Sequence, residues 1–294
     1  MLSVLIPVFN WDVRELVKIV HAQCKEQNLE FEILVFDDFS SDFNVREVNS
    51  KLTLSQYSYV QSQKNVGNAE ARNKLANLAK FDSLLFLDCD VIPVRKNFIK
   101  KYLEFVSNQK VICGGILYEE LKEKKYSLRW EFGKRHEEIS SEESQKNPYL
   151  NIRGCNFFIP KEIFLENPFS TLHASYGYVD TFFALSLENA QVEVKHIDNP
   201  VFHLGLEENK VYLRKFEKSI QNAKWMIKAH PEIANEIRLV KVYKKIERLG
   251  LKKLIAFFFK QFEKPMLKNL HSESPSLFIF QLYKLGYIST LKEE

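Results

Sequence analysis

Two aspartates two residues apart, Asp88 and Asp90, close the apolar run LLFLDCD. Carboxylates at that separation can share Mg2+ or Mn2+, because such ions take oxygen ligands and a diphosphate supplies the remainder. Held at a buried strand end without a cation, the two acids would repel each other. A second pair, Asp37 and Asp38, follows FEILVF and leads into FSSD. A carboxylate there can accept the imide N–H of a uracil-like ring while the serines bend the chain into a helix, although a capped turn with solvated acids uses the same residues. His203 in NPVFHLG offers a neutral imidazole of the kind that suits Mn2+, and equally fits a plain turn.

Chemistry of this kind needs strands that end side by side. Residues 3–7 (SVLIP), 31–36 (FEILVF), 57–61 and 83–87 (SLLFL) read as buried strands, with amphipathic helices over 13–25 and 69–78 between them. Strand and helix alternating in this way imply a parallel sheet covered on both faces, which binds ligands at the carboxyl ends of its strands. The pattern predicts further strands over 111–118, 154–159 and 192–196, and a helix over 180–189. The charged stretch 119–147 reads as a mobile insertion. After residue 205 the pattern turns helical and basic, and Leu251, Leu254, Ile255, Phe258 and Phe262 fall on one helical stripe, with Gly250 separating it from an earlier helix.

At 294 residues the chain has room for about two domains. Its 45% hydrophobic and 27% charged content excludes disorder and fibrous architectures. Cys24, Cys89, Cys113 and Cys155 form no CxxC and no Cys/His cluster, so they are expected as reduced thiols. The first apolar stretch, residues 2–9, lacks a basic leader and contains Pro7, so it reads as a strand and not as a targeting segment. Residues 254–259, the longest later apolar run, fall far short of the roughly 20 needed to cross a bilayer. Charge is uneven: residues 206–294 carry 18 Lys and Arg against 10 Asp and Glu, whereas residues 1–205 are net acidic. No basic and aromatic interleaving suggests nucleic acid.

The segments SVLIPVFN, VFDDFSSD, NVGNAEARN (65–73) and LLFLDCD, in this order and spacing, resemble the successive signatures of family 2 glycosyltransferases with the GT-A fold. The resemblance covers residues 1–205. It implies an α/β, Rossmann-like, mostly parallel central sheet flanked by helices, with residues 1–205 as a nucleotide-sugar transferase domain and 206–294 as a helical, basic C-terminal extension. By the same resemblance Pro7, Val8 and Asp38 hold the nucleotide base, and Asn65 and Gly67 shape the loop over it. Arg72 lies near the base or phosphates, Asp88 leans toward the ribose, and Asp90 with His203 binds Mn2+ or Mg2+. Residues 176–180 (YGYVD) resemble a later motif in which a Glu-Asp pair follows an aromatic. Val179 stands where Glu is usual, which leaves Asp180 as the base for the acceptor hydroxyl. Asn156, in GCNF, and Tyr178 are expected beside the sugar or acceptor, and Trp130 either stacks on a sugar ring or anchors local packing.

The function so implied is inverting, metal-dependent transfer of a sugar from a nucleotide diphosphate, with UDP expected, to a hydroxyl acceptor in glycan or surface polysaccharide assembly. A cytoplasmic location, at the inner membrane face, would suit the donor and a lipid-linked acceptor. The basic tail then has three readings: contact with an anionic bilayer, packing on the first domain, or self-association. Two other functions share these residues. LDCDVI also resembles the nucleophile motif of haloacid-type phosphatases, with Asp88 as nucleophile, against which stand three earlier strands and the upstream Asp pair. A catalytically degenerate, nucleotide-sugar-binding partner protein is the other, with Val179 as its sign. No GxGxxG follows the first strand and no GxxxxGK[ST] occurs, which sets aside dinucleotide and P-loop enzymes.

Overall fold

The computed structural model describes residues 1–106, 110–171 and 177–292. Tyr176, part of the expected acceptor-side motif, lies outside the described residues. The chain divides into two compact units, one of Met1–Glu119, Glu137–Ala174 and Val179–Gly205, the other of Glu120–His136, Ser175–Tyr178 and Leu206–Glu294. The last crossing between them falls after Gly205, and the segment Glu120–His136 also belongs to the second.

The first unit contains β1 (Leu2–Val8), β2 (Phe31–Asp37), β3 (Tyr57–Gln61), β4 (Ser83–Leu87), β5 (Val91–Pro93), β6 (Val111–Cys113), β7 (Ile116–Leu117), β8 (Asn156–Pro160), β9 (Val194–His196) and β10 (Val201–His203). Seven of them form one sheet in the order β3-β2-β1-β4-β8-β6-β9. All seven residues of β1 are buried, as a strand covered on both faces requires. It pairs in parallel with β2, Leu2 opposite Phe31 through Val8 opposite Asp37, and with β4, Leu5 opposite Phe86. The chain runs outward from β1 to β3 and returns to β4 on the other side. That reversal makes the carboxyl ends of β1 and β4 the switch point where such sheets bind ligands.

Beyond β4 the sheet becomes mixed, because β8 is antiparallel to both β4 and β6. Leu5, Leu34, Leu84 and Phe86 share a core with Ala71, Leu75 and Ala76 of helix Asn68–Leu78. Phenylalanines fill the rest of it, with Phe86 stacked on Phe157 at 4.8 Å and Phe169 on Phe183 at 4.2 Å. The single strand expected over 111–118 is instead two short ones in different sheets, since β7 joins β5 and β10. Gly114 and Gly115 cause the break. Gly115 has φ +85, and a Cβ on Gly114 would collide with the Tyr102 hydroxyl.

The second unit is helical. Helix Ser127–His136 corrects the expectation of a mobile insertion: Leu128 is buried with Tyr212, Leu213 and Phe280, and Phe132 packs against the same cluster. Leu128 and Phe132 lie four residues apart, one helical turn, which is the signal the charged neighbours obscure. Asn209, at the start of helix Asn209–Ala229, accepts from Leu128 N–H and donates to the Ser127 hydroxyl and the Ser272 carbonyl. Helix Arg238–Arg248 ends before Gly250, whose φ of +72 turns the chain into helix Lys252–Leu270. That helix and Leu277–Thr290 approach closely where Gly286 meets the ring of Phe259, a contact any Cβ would block.

Candidate functional site

The polar residues of the first unit gather where β1, β2 and β4 end. Asp37, fully buried at the end of β2, accepts from Ser40 N–H at 2.7 Å and from the Tyr59 hydroxyl at 2.5 Å. Asp38 donates its N–H to the Val8 carbonyl, and its carboxylate accepts from Val66 N–H at 2.6 Å and Gly67 N–H at 2.8 Å. Asn65 donates to the Asp38 carbonyl. Asp38 therefore ties the end of β1, through Val8, to the loop that starts helix Asn68–Leu78, where Gly67 has φ +84. Burial raises the Asp38 carboxyl above its ordinary range, and the two N–H groups oppose that rise. Asp42 caps the helix Phe43–Ser50 by accepting from Asn44 and Val45 N–H.

Arg72 lies beneath the strand ends, not beside open solvent. Its guanidinium is 2.5 Å from Asp88 Oδ1, donates to the Gly154 carbonyl at 3.1 Å, and sits 4.9 Å from the centre of the Phe169 ring. Asp88 thus has one oxygen neutralised from below. Burial raises its carboxyl, Arg72 opposes that rise, and Asp90 and Asp180 add to it. Asp180, in the first turn of helix Val179–Asn189, accepts from Gly154 N–H at 3.1 Å. A Cβ on Gly154 would stand 2.6 Å from Asp180 Oδ1 and 2.9 Å from Arg72 Nη2, so only glycine lets these groups converge. Val179, where the motif's Glu is usual, packs on the apolar core.

Asp90 is differently placed. Its carbonyl accepts from Leu204 N–H at 2.8 Å, and its Oδ2 lies 3.5 Å from His203 Nε2. Gly205 passes so close that a Cβ there would overlap Asp90 Oδ2. A carboxylate oxygen and an imidazole nitrogen this near each other fit two positions of a divalent cation's shell, with room kept by the glycine. Among the described residues no three His, Cys, Asp or Glu side chains form a group that could hold a metal ion. An open cleft of about 770 Å³ reaches the same strand ends, lined by Asn10, Trp11, Cys89, Val91, Ile92 and Leu204 among others. That is within the usual range for small-molecule sites.

Asn156 and Tyr178, the two expected sugar contacts, are both bonded within the fold. Asn156 is buried, with its Oδ1 accepting from the Tyr102 hydroxyl and its Nδ2 donating to the carbonyls of Gly115 and Asn199. Its amide is spent on joining strands and loops, and the cavity it lines is about 20 Å³, room for a water and not for a sugar. Tyr178 belongs to the second unit, where its hydroxyl shares a hydrogen bond with Ser219 and burial pushes the phenol up to about 12. Gly205 and Phe169 were not singled out in the sequence. The HLG triplet carried a signal for Gly205, since a glycine two residues after a candidate ligand often marks close approach. The four cysteines are free, three of them buried, as expected.

A sheet that reverses at β1 and β4, with acids at the ends of β2 and β4, is the GT-A nucleotide-sugar transferase architecture. The chain belongs to glycosyl transferase family 2, whose profile matches residues 3–167. It is 28% identical over 114 residues to the uncharacterised glycosyltransferase YfnE of Bacillus subtilis, an alignment covering 38% of this chain and 29% of YfnE. Two solved structures share the fold. The mannosyltransferase PcManGT from Pyrobaculum calidifontis, in complex with GDP-Man and Mn2+, is 13% identical with TM-score 0.52, over 77% of this chain and 64% of that one. S. aureus TarS 1-349 in complex with UDP-GlcNAc is 15% identical with TM-score 0.51, over 97% of this chain and 90% of that one. Family membership, and the place of Asp88 at the end of the fourth strand, paired with Arg72, set aside the phosphatase reading.

Proposed function

We propose that the first unit transfers a glycosyl group from a nucleoside diphosphate-sugar to a hydroxyl acceptor with inversion at the anomeric carbon. The observation that carries this reading is the unequal treatment of the two β4 acids. Asp88 is neutralised by buried Arg72, whereas Asp90 faces His203 with space kept by Gly205. Asp38, Asn65 and the backbone of Pro7 and Val8 shape the seat of the base, for which uridine is the expected fit. Arg72 is a positioning residue that acts through Asp88, which turns its remaining oxygen toward the ribose. Asp90 and His203 would hold Mn2+ or Mg2+, which supplies positive charge to the departing diphosphate when bound.

In the transfer step the acceptor oxygen forms a bond to the anomeric carbon as the bond from that carbon to the diphosphate breaks. The diphosphate leaves with the electron pair, and Asp180 takes the acceptor's proton. Gly154 N–H orients Asp180 for this. Acceptors in this reading are glycan or lipid-linked hydroxyls.

The test is release of nucleoside diphosphate from a panel of nucleotide-sugars with glycan acceptors. Asp180→Asn keeps an acceptor for Gly154 N–H and loses the base, so kcat should fall by about 10²–10⁴ while donor binding holds. An unchanged rate would remove Asp180 from the mechanism. Val179, packed where the motif's Glu is usual, favours one rival reading, a nucleotide-sugar-binding partner without turnover. Nucleotide binding with no release from any donor would decide for it.

A further inference from the structure

The second unit presents a surface that sugar transfer does not use. Turned at roughly 100° per residue, helix Lys252–Leu270 has three faces. Phe259 and Leu270, with Met266 and Leu267, are the buried seam against helix Leu277–Thr290. Leu251 at its N-cap, with Leu254, Phe258 and Phe262, lies on a second face, each 41 to 53% exposed. The stripe legible in the sequence is therefore largely the outward one. Lys253, Lys260, Lys264 and Lys268 occupy the third face, and none of them forms an ion pair among the described residues. Helix Leu277–Thr290 adds Phe278, 71% exposed, and Leu282 one turn on. Lys245, Arg248 and exposed Leu249 end the preceding helix, again with the two cations unpaired among the described residues.

Folding does not require these outward phenylalanines, because the helix already buries its other side. Contiguous exposed apolar side chains of this size mark an interaction surface. Unpaired cations alongside them specify an anionic occupant, and a helix with apolar and basic faces is the form that lies in a membrane interface. We propose that this face docks on an anionic phospholipid bilayer, with the leucines and phenylalanines entering the headgroup boundary and the lysines meeting lipid phosphates. No helix among the described residues is long and apolar enough to cross a membrane, which agrees with a helix that lies on one. A second copy of the chain suits the face less well, because an isologous contact brings the same lysine-bearing face and no matching row of acids. The inference stands on the second unit alone and holds or fails independently of the transferase reading.

The experiment is sedimentation of the full chain with phosphatidylcholine vesicles with and without phosphatidylglycerol, across a salt series. The expected result is binding to the anionic vesicles alone, weakened by salt. Phe258→Ser with Phe262→Ser, and separately Lys260→Glu with Lys264→Glu, should each lower partitioning by about tenfold or more. All these side chains are exposed, so melting temperature should hold. No binding of the wild type to anionic vesicles at low salt would overturn the proposal, as would binding that neither double variant weakens. A dimer in solution that the phenylalanine variant dissociates, without vesicle binding, would assign the face to self-association instead.

Discussion

Charged groups at the strand ends of the first unit and on the outer helices of the second are treated in opposite ways. Asp37, Asp38, Arg72, Asp88 and Asp180 each have a named partner inside the fold, and Arg72 is almost wholly buried. Lys253, Lys260, Lys264 and Lys268 have no ion-pair partner among the described residues and stand in solvent beside exposed phenylalanines. Burying a charge is costly unless it is matched, so the first arrangement is fixed before any ligand arrives. Leaving charge and apolar surface open costs the fold little, and reserves them for something outside it. In the proposed function the first unit orients a small molecule, and in the proposed docking the second meets a surface.

The sharpest break in this contrast comes from Arg72→Met. Asp88 would be left at the end of β4 without its cation, and stability should fall by about 3–5 kcal/mol, read by urea unfolding. Gly205→Ala should act next, because its Cβ would push Asp90 Oδ2 aside. The Mn2+-dependent part of nucleotide affinity should be lost while metal-free stability stays near wild type, which calorimetric titration with and without Mn2+ would resolve.

Lys284 offers a smaller effect with a defined sign. It is caged by the rings of Phe280, Phe216 and Phe132 at 4.7, 5.0 and 5.5 Å, and burial, with Arg238 adding, lowers its ammonium to about 8. The aromatic faces offset part of that burial cost. Between about 8 and the ordinary lysine value the unfolded chain binds more protons than the folded one, so this group makes stability rise with pH there. The wild type minus Lys284→Met difference in melting temperature should shift by several degrees across that window. A flat difference would mean that Lys284 is solvated. Smallest of all, Lys260→Met should change stability by no more than about 0.5 kcal/mol, and a larger loss would show that the open lysines are part of the fold.

Strands β1 to β4 were legible because they are continuous apolar runs bounded by acids and helical patterns. The spans 57–61 and 83–87 coincide with β3 and β4. The strands β5, β7 and β10 were not, since two or three residues give no period to read, and their sheet exists only through pairing distant in sequence. The acids at the strand ends were visible as residue types, but their partners were not. That Arg72 would lie under Asp88, or that Asn156 would spend its amide on Tyr102, Gly115 and Asn199, depends on β8 returning antiparallel beside β4. The stripe from Leu251 to Phe262 was read as a stripe, yet its direction was hidden. Periodicity identifies a face, and only packing decides that Phe259 goes inward and Phe258 outward.

The most direct test of the donor site is thermal stabilisation of the wild type and of Asp90→Ala by nucleoside diphosphates with and without Mn2+. A ligand that binds only the folded state at about a hundredfold over its Kd adds about 2.7 kcal/mol of stability. The account predicts a Mn2+-dependent rise in melting temperature with one nucleotide, UDP being the expected one, and its loss in Asp90→Ala. No rise with any nucleoside diphosphate, or a full Mn2+-dependent rise that survives in Asp90→Ala, would contradict the assignment of the β4 acids.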